Sequence, residues 1–369
     1  MKGRKSVSKP RVCIMTSVHR HDDVRIYHKE ARSLRERGCE VTILCSDYEG
    51  VDESGIRFVK VEVPAGRIRR ILFSPGRFFK AAKKTGAEYF HFHDPELMRA
   101  GLKLRKYGKT VYDVHEDVPS QILTKPYLKP GLAKLCSKWF EKYERRAARR
   151  FDAIVAAEPV IYARMKHLNR NTYQVCNYPI LEELAPSAEG SPRKRQVCYL
   201  GGITRIRGIH EMLDAVAGTD ITLVLAGDFE NDALRREAEA HPGWKNVSYL
   251  GYIGRKEVSR VLSESGAGLV ILHPIPKYLT ALPVKMFEYM AAGVPVIASN
   301  FPYWKQILED SHCGLCVDPL NPEEIRMTME YILKNPDIIA EMGQNGRTGV
   351  VEQYNWATEK QKLFELYGC

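Results

Sequence analysis

Residues 282–299 read LPVKMFEYMAAGVPVIAS, and this stretch decides how the chain is built. Pro283 opens a short helix and Gly293 closes it, after which VPVIAS (294–299) follows at once as a buried strand. A helix feeding directly into an apolar strand is half of the repeating unit of a parallel sheet. The same helix carries Lys285 and Glu288 three residues apart, so both side chains point the same way. Leu282, where a capping side chain would sit, cannot satisfy the free backbone N–H groups of Val284, Lys285 and Met286. An uncapped helix start beside a lysine is a place for an anion. The plainer reading is a surface ion pair with water at the helix start.

The helix-to-strand unit recurs along the chain. RVCIM (11–15) leads to an amphipathic helix over 25–37, ended by Gly38. CEVTILC (39–45), IRFVKVEV (56–63), EYFHFH (88–93), TVYDVH (110–115) and AIVAA (153–157) read as strands, with a long amphipathic region at 129–150. LEELAPSAEGSPRKRQ (181–196) has no periodicity and reads as a linker. The pattern then restarts with VCYLG (197–201), ITLVLAG (221–227), VSYLG (247–251), AGLVIL (267–272) and VPVIAS, separated by helical stretches. The expected architecture is α/β: two doubly wound, Rossmann-like domains facing across a cleft. In such sheets ligands sit beyond the carboxyl ends of the strands. HFHDPEL (91–97), HED (115–117), GGITRIRG (201–208) and GDFE (227–230) crowd those ends here.

The 369 residues are 44% apolar and 27% charged, a soluble globular composition with room for two or three domains. No apolar run approaches the ~18 residues of a membrane span, and MKGRKSVSKP lacks the apolar stretch of a secretory leader. Nine dispersed cysteines fit reduced thiols in a cytoplasmic protein. Cys313 and Cys316 form a C-x-x-C, but no second pair completes a zinc site.

Charge is uneven. Residues 1–185 carry 37 Lys and Arg against 22 Asp and Glu, whereas residues 186–369 carry 19 against 23. The basic half suits an anionic membrane surface, making the protein peripheral at the inner face of a membrane. GRIRRILFSPGRFFKAAKK (66–84), which mixes cations with Phe73, Phe78 and Phe79, is the segment expected to make that contact; a solvated charged helix with core aromatics is the alternative. No RNA-binding or helix-turn-helix signature accompanies the charge, so nucleic acid is not an expected partner.

YLGGITRIRGIHEM (199–212) is a strand, a glycine-rich loop with two arginines, then a helix. Gly201 and Gly202 let backbone N–H groups approach an oxyanion, and Arg205 and Arg207 add charge. The loop matches neither the dinucleotide fingerprint nor the phosphate loop of ATPases, which disfavours a dehydrogenase or an ATPase. Two anion-ready helix starts in one half point to a diphosphate. Lys285 then faces a phosphate and Glu288 something bearing hydroxyls, such as a ribose. HFHDPEL admits three readings. His91, His93 and Asp94 are ligand types of a metal hydrolase, although no further metal-ligand constellation is evident in the sequence. Asp94 ahead of Pro95 could cap a helix. His93, Asp94 and Glu96 could form a catalytic cluster on the acceptor side.

These segments carry a resemblance. LPVKMFEYMAAGVPVIAS, YLGGITRIRG, CGLCVDPLNPEEI and GVVEQYNWATEKQKLFELY resemble the donor domain of retaining glycosyltransferases of family 4, which have the GT-B fold. SVHRHDDVRIYHKEARSLRERGCEVTIL and FHFHDPEL resemble a bacterial polysaccharide-assembly branch of that family. The resemblance implies an N-terminal acceptor domain over 1–185, joined by a C-terminal helix at 352–369, and a donor domain over 186–351. Gly227 joins Gly201 and Gly202 in its donor site. It implies that Glu288 binds the nucleotide ribose and that Arg207 stands where relatives keep a phosphate-binding lysine. Gly202 stands where they keep an arginine, a loss for which Arg205 could compensate. Thr280 replaces a glutamate that often orients the donor sugar. His93 and His115 fall at recurrent active-site histidines.

The expected activity is therefore metal-independent, retaining transfer of a sugar from a nucleotide diphosphate-sugar to a lipid-linked or polysaccharide acceptor, with no cofactor. Domain closure would exclude water from the transfer. A nucleotide-sugar epimerase or hydrolase of the same fold is one rival, separated by donor turnover without acceptor. A non-catalytic nucleotide-sugar or nucleic-acid binding module is the other.

Overall fold

The computed structural model describes residues 9–123, 129–184 and 193–369. The chain forms two compact units: residues up to Asn177 together with Ala357–Cys369, and Tyr178–Trp356. The expected boundary between 185 and 186 lies outside the described residues. So does half of the expected linker, 185–192, but its ends are structured. Lys194 already starts a strand, and Arg193 donates to the carbonyls of Ser265 and Gly293 at 2.8 and 2.7 Å.

The first unit is built on an eight-stranded sheet. Its strands are β1 (Arg11–Met15), β2 (Glu40–Cys45), β3 (Gly50–Val51), β4 (Arg57–Lys60), β5 (Tyr89–Phe92), β6 (Lys109–Val114), β7 (Ala153–Ala156) and β8 (Thr172–Gln174). They lie in the order β3-β4-β2-β1-β5-β6-β7-β8, all parallel except the β3–β4 pair, with Ile14 opposite Ile43 on one side and His91 on the other. Helices cover both faces, so β1 and β7 are buried along almost their whole length. The chain runs outward from β1 through β2, then crosses back to β5 and runs the other way. That reversal is a topological switch point, and the loops after β1 and β5 leave it side by side.

One element departs from the sequence reading. The helix expected over 25–37 is a π-helix over Val24–Ala31, followed by one α-helical turn, Arg32–Glu36. Its wider turn brings residues five apart onto one face, so Arg25 and Glu30 meet inside the protein, Nε to Oε1 3.0 Å. Asp23 starts it, its carboxylate accepting from the backbone N–H groups of Arg25 and Ile26. The last helix, Trp356–Tyr367, is tied to the same unit by Glu359, which accepts from the backbone N–H of Cys176 at 2.7 Å.

The second unit has six parallel strands: β9 (Lys194–Leu200), β10 (Thr222–Ala226), β11 (Val247–Tyr249), β12 (Ser265–Val270), β13 (Val296–Ser299) and β14 (Gly314–Val317). Their order is β11-β10-β9-β12-β13-β14, with Leu223 opposite Val197. The switch point lies between β9 and β12. Cys316 belongs to β14 and Cys313 is buried just before it, so the C-x-x-C is part of a strand edge. Tyr289 stitches the switch point together: its hydroxyl accepts from Leu200 N–H at 3.1 Å, and its ring fills the space a side chain at Gly268 would need. Among the described residues no helix is long and apolar enough to cross a membrane.

Candidate active site

Each unit gathers polar residues at its own switch point. In the second unit, β9 ends in Gly201 and Gly202, and the helix Val284–Ala291 brings Lys285 over them. Pro283, not Leu282, occupies the cap position and offers no side-chain hydrogen bond. Met286 N–H is taken by Pro283 O at 3.0 Å, which leaves Val284 and Lys285 as the free ends of the first turn. The loop before this helix is fixed by Trp304, whose indole N–H donates to Ala281 O at 2.7 Å.

The Lys285 ammonium lies 3.5 Å from the centre of the Tyr199 ring and 3.3 Å from where a Cβ on Gly201 would sit. It is buried and makes no hydrogen bond. Burial first, then the Arg207 charge, hold its pKa well below 10.5. Arg207 reaches the same loop, donating from Nη1 to Gly202 O at 3.1 Å. Gly227, at the end of β10, is forced to be glycine: with φ +136° its added Cβ would stand 2.1 Å from Gly201 O. The result is a glycine cradle with a bare ammonium and a guanidinium on its rim. The Gly201 and Gly227 N–H groups, contrary to the expectation for Gly201, are taken by Ala226 O and Gly251 O at 2.8 and 2.7 Å, so the two cations and the free start of the Val284–Ala291 helix are what suit a diphosphate here.

Two expected members sit differently. Arg205 forks onto Glu237 of the helix Asp232–Glu239 and lies exposed, so it does not stand in for a missing phosphate arginine. Glu288 accepts from Arg255 at 2.8 Å, and Arg255 also holds Glu183 at 2.9 Å. A ribose hydroxyl binding Glu288 must share that carboxylate with Arg255. Thr280 is exposed after the short helix Pro276–Leu279.

In the first unit, HFHDPEL leaves β5 at the switch point beside the loop after β1. Asp94 does not cap the helix that follows it. Its carboxylate accepts from Ser17 N–H at 2.5 Å and from the Thr16 and Ser17 hydroxyls, each at 3.1 Å. Glu96 accepts from Ser17 Oγ at 2.7 Å and from Arg70 Nε at 2.8 Å. Both acids therefore shape the β1 loop. The His93 side chain is wholly buried, with Nδ1 2.7 Å from His115 Nε2, and His115 is the more exposed of the pair. His115 Nε2 is also 3.0 Å from Asp113 Oδ1.

Behind them lies a group of which the sequence reading named only His91 and His93 and missed Arg25, Glu30 and Asp113. Arg25 donates to Asp113 Oδ2 at 2.8 Å and to Val175 O at 2.9 Å, and pairs with Glu30. Burial alone would raise Asp113, but Arg25 and His115 hold it well below the usual carboxylate range. Burial and the Asp113 charge push Glu30 far up. His91 closes the group, its Nδ1 2.7 Å from the Tyr367 hydroxyl.

Comparison with known proteins decides the family. Residues 182–349 match the family described as glycosyl transferases group 1, and residues 24–174 match glycosyltransferase family 4. The chain is a family 4-like glycosyltransferase. The phosphatidyl-myo-inositol mannosyltransferase of Mycobacterium leprae is 23% identical over 91% of this chain and 90% of its own. An MMP alpha-(1->4)-mannosyltransferase of Mycolicibacterium hassiacum is 23% identical over 48% of this chain, which spans 44% of that relative. Among solved structures, a sucrose-phosphate synthase from Thermosynechococcus elongatus superposes with TM-score 0.77 at 18% identity, over 97% of this chain and 98% of its own. Anabaena Alr3699/HepE in complex with UDP-glucose superposes with TM-score 0.72 at 14% identity, over 97% and 100%. The glycosyltransferase thus has the GT-B fold. Its two domain matches fall on the two units that carry the switch points.

Proposed function

We propose that this glycosyltransferase is a retaining enzyme that takes its sugar from a nucleotide diphosphate-sugar bound in the second unit. The observation that carries the reading is Lys285: a buried ammonium with no hydrogen bond, held over the Gly201–Gly202 loop next to Arg207. A site that keeps a cation bare leaves it a partner to gain, and a diphosphate supplies one. The solved relative with UDP-glucose supports the donor class. In the reaction the acceptor oxygen bonds to the anomeric carbon as the bond from that carbon to the β-phosphate oxygen breaks. The acceptor proton passes to the departing phosphate oxygen on the same face. Lys285, Arg207 and the free N–H groups at the start of the Val284–Ala291 helix stabilise the charge that appears on the diphosphate, so no divalent ion is needed there. The acceptor belongs to the first unit, where His115 is positioned by His93 and the β1 loop by Asp94 and Glu96.

The test follows donor and stereochemistry together. Among UDP, GDP and their sugars, one set should raise the unfolding temperature, since a ligand at 100 times its Kd stabilises by ~2.7 kcal/mol. For an α-linked donor so identified, proton NMR of slow hydrolysis to water should show the α-anomer first. No stabilisation by any of them removes the donor site; first release of the β-anomer removes retention.

A lipid-linked acceptor accords with a surface for anionic lipid on the first unit. On the helix Arg67–Lys84, Phe78 is core and Phe79 is partly buried against it, contrary to an outward role for them. Phe73 faces out, joined by Leu72 and by Ile68, which is 76% exposed. The helix Pro130–Ala148 presents Leu132, Leu135 and Trp139 on its outer face, the last 67% exposed, among Lys134, Lys138 and Lys142. Apolar side chains ringed by cations suit the headgroup region of a bilayer. Vesicles containing phosphatidylserine should bind the protein, binding should weaken as salt rises, and Ile68→Ser with Leu72→Ser should reduce it several-fold. Equal binding to neutral vesicles would count against the surface.

A further inference from the structure

The group behind His93 brings four side chains of metal-ligand type together in the core of the first unit. Glu30, His91, His93 and Asp113 are all buried, and one ligand atom from each lies within 4.8 Å of every other. His93 Nε2 is 3.4 Å from Glu30 Oε2, and His91 Nε2 is 3.5 Å from Asp113 Oδ2 and 3.8 Å from Glu30 Oε2. These separations are too long for hydrogen bonds, which cluster near ~2.9–3.0 Å between nitrogen and oxygen. The first two match the edge of a tetrahedron of ligands about 2.0–2.2 Å from a central ion, which is about 3.3–3.6 Å, and the third is longer, so the side chains would draw in slightly around an ion.

Hydrogen bonding leaves the same atoms unexplained. His91 Nε2, His93 Nε2 and Glu30 Oε2 are buried without a hydrogen bond, a costly arrangement, while Glu30 Oε1 has the Arg25 ion pair. The other ring nitrogens are already engaged, His91 Nδ1 with Tyr367 and His93 Nδ1 with His115. That is how metal-binding imidazoles are usually oriented, one nitrogen tethered and the other free to ligate. Charge points the same way. Two buried carboxylates face one buried cation, Arg25, which takes Glu30 Oε1 and leaves Oε2 turned toward the histidines. The set so counted carries one uncompensated negative charge, which draws a cation; a divalent ion would leave it with one net positive charge.

We propose that Glu30, His91, His93 and Asp113 bind a zinc ion that ties β5 and β6 to the π-helix of the first unit. Two imidazoles and two carboxylates in tetrahedral array suit zinc better than calcium or magnesium, which need six or more oxygen ligands. The ion is structural, since the site is closed by four protein ligands. It belongs to the first unit, whereas the diphosphate cradle belongs to the second, and the inference does not depend on glycosyl transfer.

The full-length protein, purified from cells grown with zinc and gel-filtered, should carry one zinc per chain by plasma mass spectrometry. Glu30→Gln and His91→Asn should each lose at least nine-tenths of it. Protein from cells grown with cobalt in place of zinc should show the intense visible bands of tetrahedral cobalt, a readout that needs no variant to fold. Less than a tenth of an equivalent of metal together with no cobalt spectrum overturns the proposal, and a proton shared among the four groups then supplies the missing charge. Full retention of zinc in folded Glu30→Gln and His91→Asn also overturns it, because the metal is then bound elsewhere.

Discussion

Replacing Lys285 by methionine is expected to weaken nucleoside diphosphate binding by about 2–4 kcal/mol, roughly 30- to 1,000-fold. Methionine keeps the length and packing of the lysine stem and removes only the charge. The loss is large because the ammonium is already desolvated and makes no hydrogen bond in the free protein, so little is given up when a phosphate takes it. Lys285→Arg should not restore binding. The ammonium sits 3.5 Å from the Tyr199 ring centre and close above Gly201, where a guanidinium fork does not fit. The same burial gives affinity a pH dependence. Binding favours the charged lysine, whose pKa in the free protein is held well below 10.5 by burial and then by Arg207. Affinity therefore falls as pH rises through the window between that depressed pKa and the higher pKa of the lysine once a phosphate holds it. Calorimetry of UDP or GDP, whichever binds, should show proton uptake in that window for the wild type and none for Lys285→Met. A variant that binds within threefold of the wild type would separate Lys285 from the diphosphate.

The second large effect is structural. Arg25→Met should destabilise the first unit by about 3–5 kcal/mol, the usual cost of removing one partner from a buried ion pair. Arg25 is almost fully buried, and it holds Asp113, Glu30 and the carbonyl of Val175 together from three separate elements. Without it two carboxylates remain in the core facing each other. Arg20→Met is the control, because the Arg20–Asp22 pair is exposed and such pairs contribute about 0–1 kcal/mol. Hydrogen exchange read separately on β1, β5 and β6 should show protection lost in Arg25→Met and kept in Arg20→Met. Protection within about 1 kcal/mol of the wild type in both would mean the buried group does not hold the sheet.

The sheets were legible because parallel strands buried on both faces leave unbroken apolar runs, and VCYLG, AGLVIL and VPVIAS are such runs. Gly201, Gly202 and Lys285 were legible for a related reason: local sequence alone sets a glycine loop after a strand and an uncapped helix start. The short edge strands β3 and β8 have too few residues to show a period. Arg205 misled because it stands two positions before Arg207, and the 3-10 turn that holds both sends one to Glu237 and the other to Gly202. Phe73 and Phe78 are five residues apart on an α-helix, which puts them on different sides, one out and one in the core. The buried polar group was illegible for a stronger reason. Its members come from the π-helix, β6 and the end of β5, so spacing links His91 to His93 but neither of them to Arg25, Glu30 or Asp113. An α-helical reading of 25–37 also cannot place Arg25 against Glu30, which needs the wider turn.

The central claim is that the Gly201–Gly202 loop and the Val284–Ala291 helix form the diphosphate site of a sugar donor. Crystals grown with UDP or GDP, chosen by thermal stabilisation and prepared without magnesium, test it most directly. The account predicts both phosphates over the Gly201–Gly202 loop, with the Lys285 ammonium and the Arg207 guanidinium within hydrogen-bond distance and the ribose on Glu288. Density for the diphosphate on the first unit, or on the second unit away from Lys285, would contradict it.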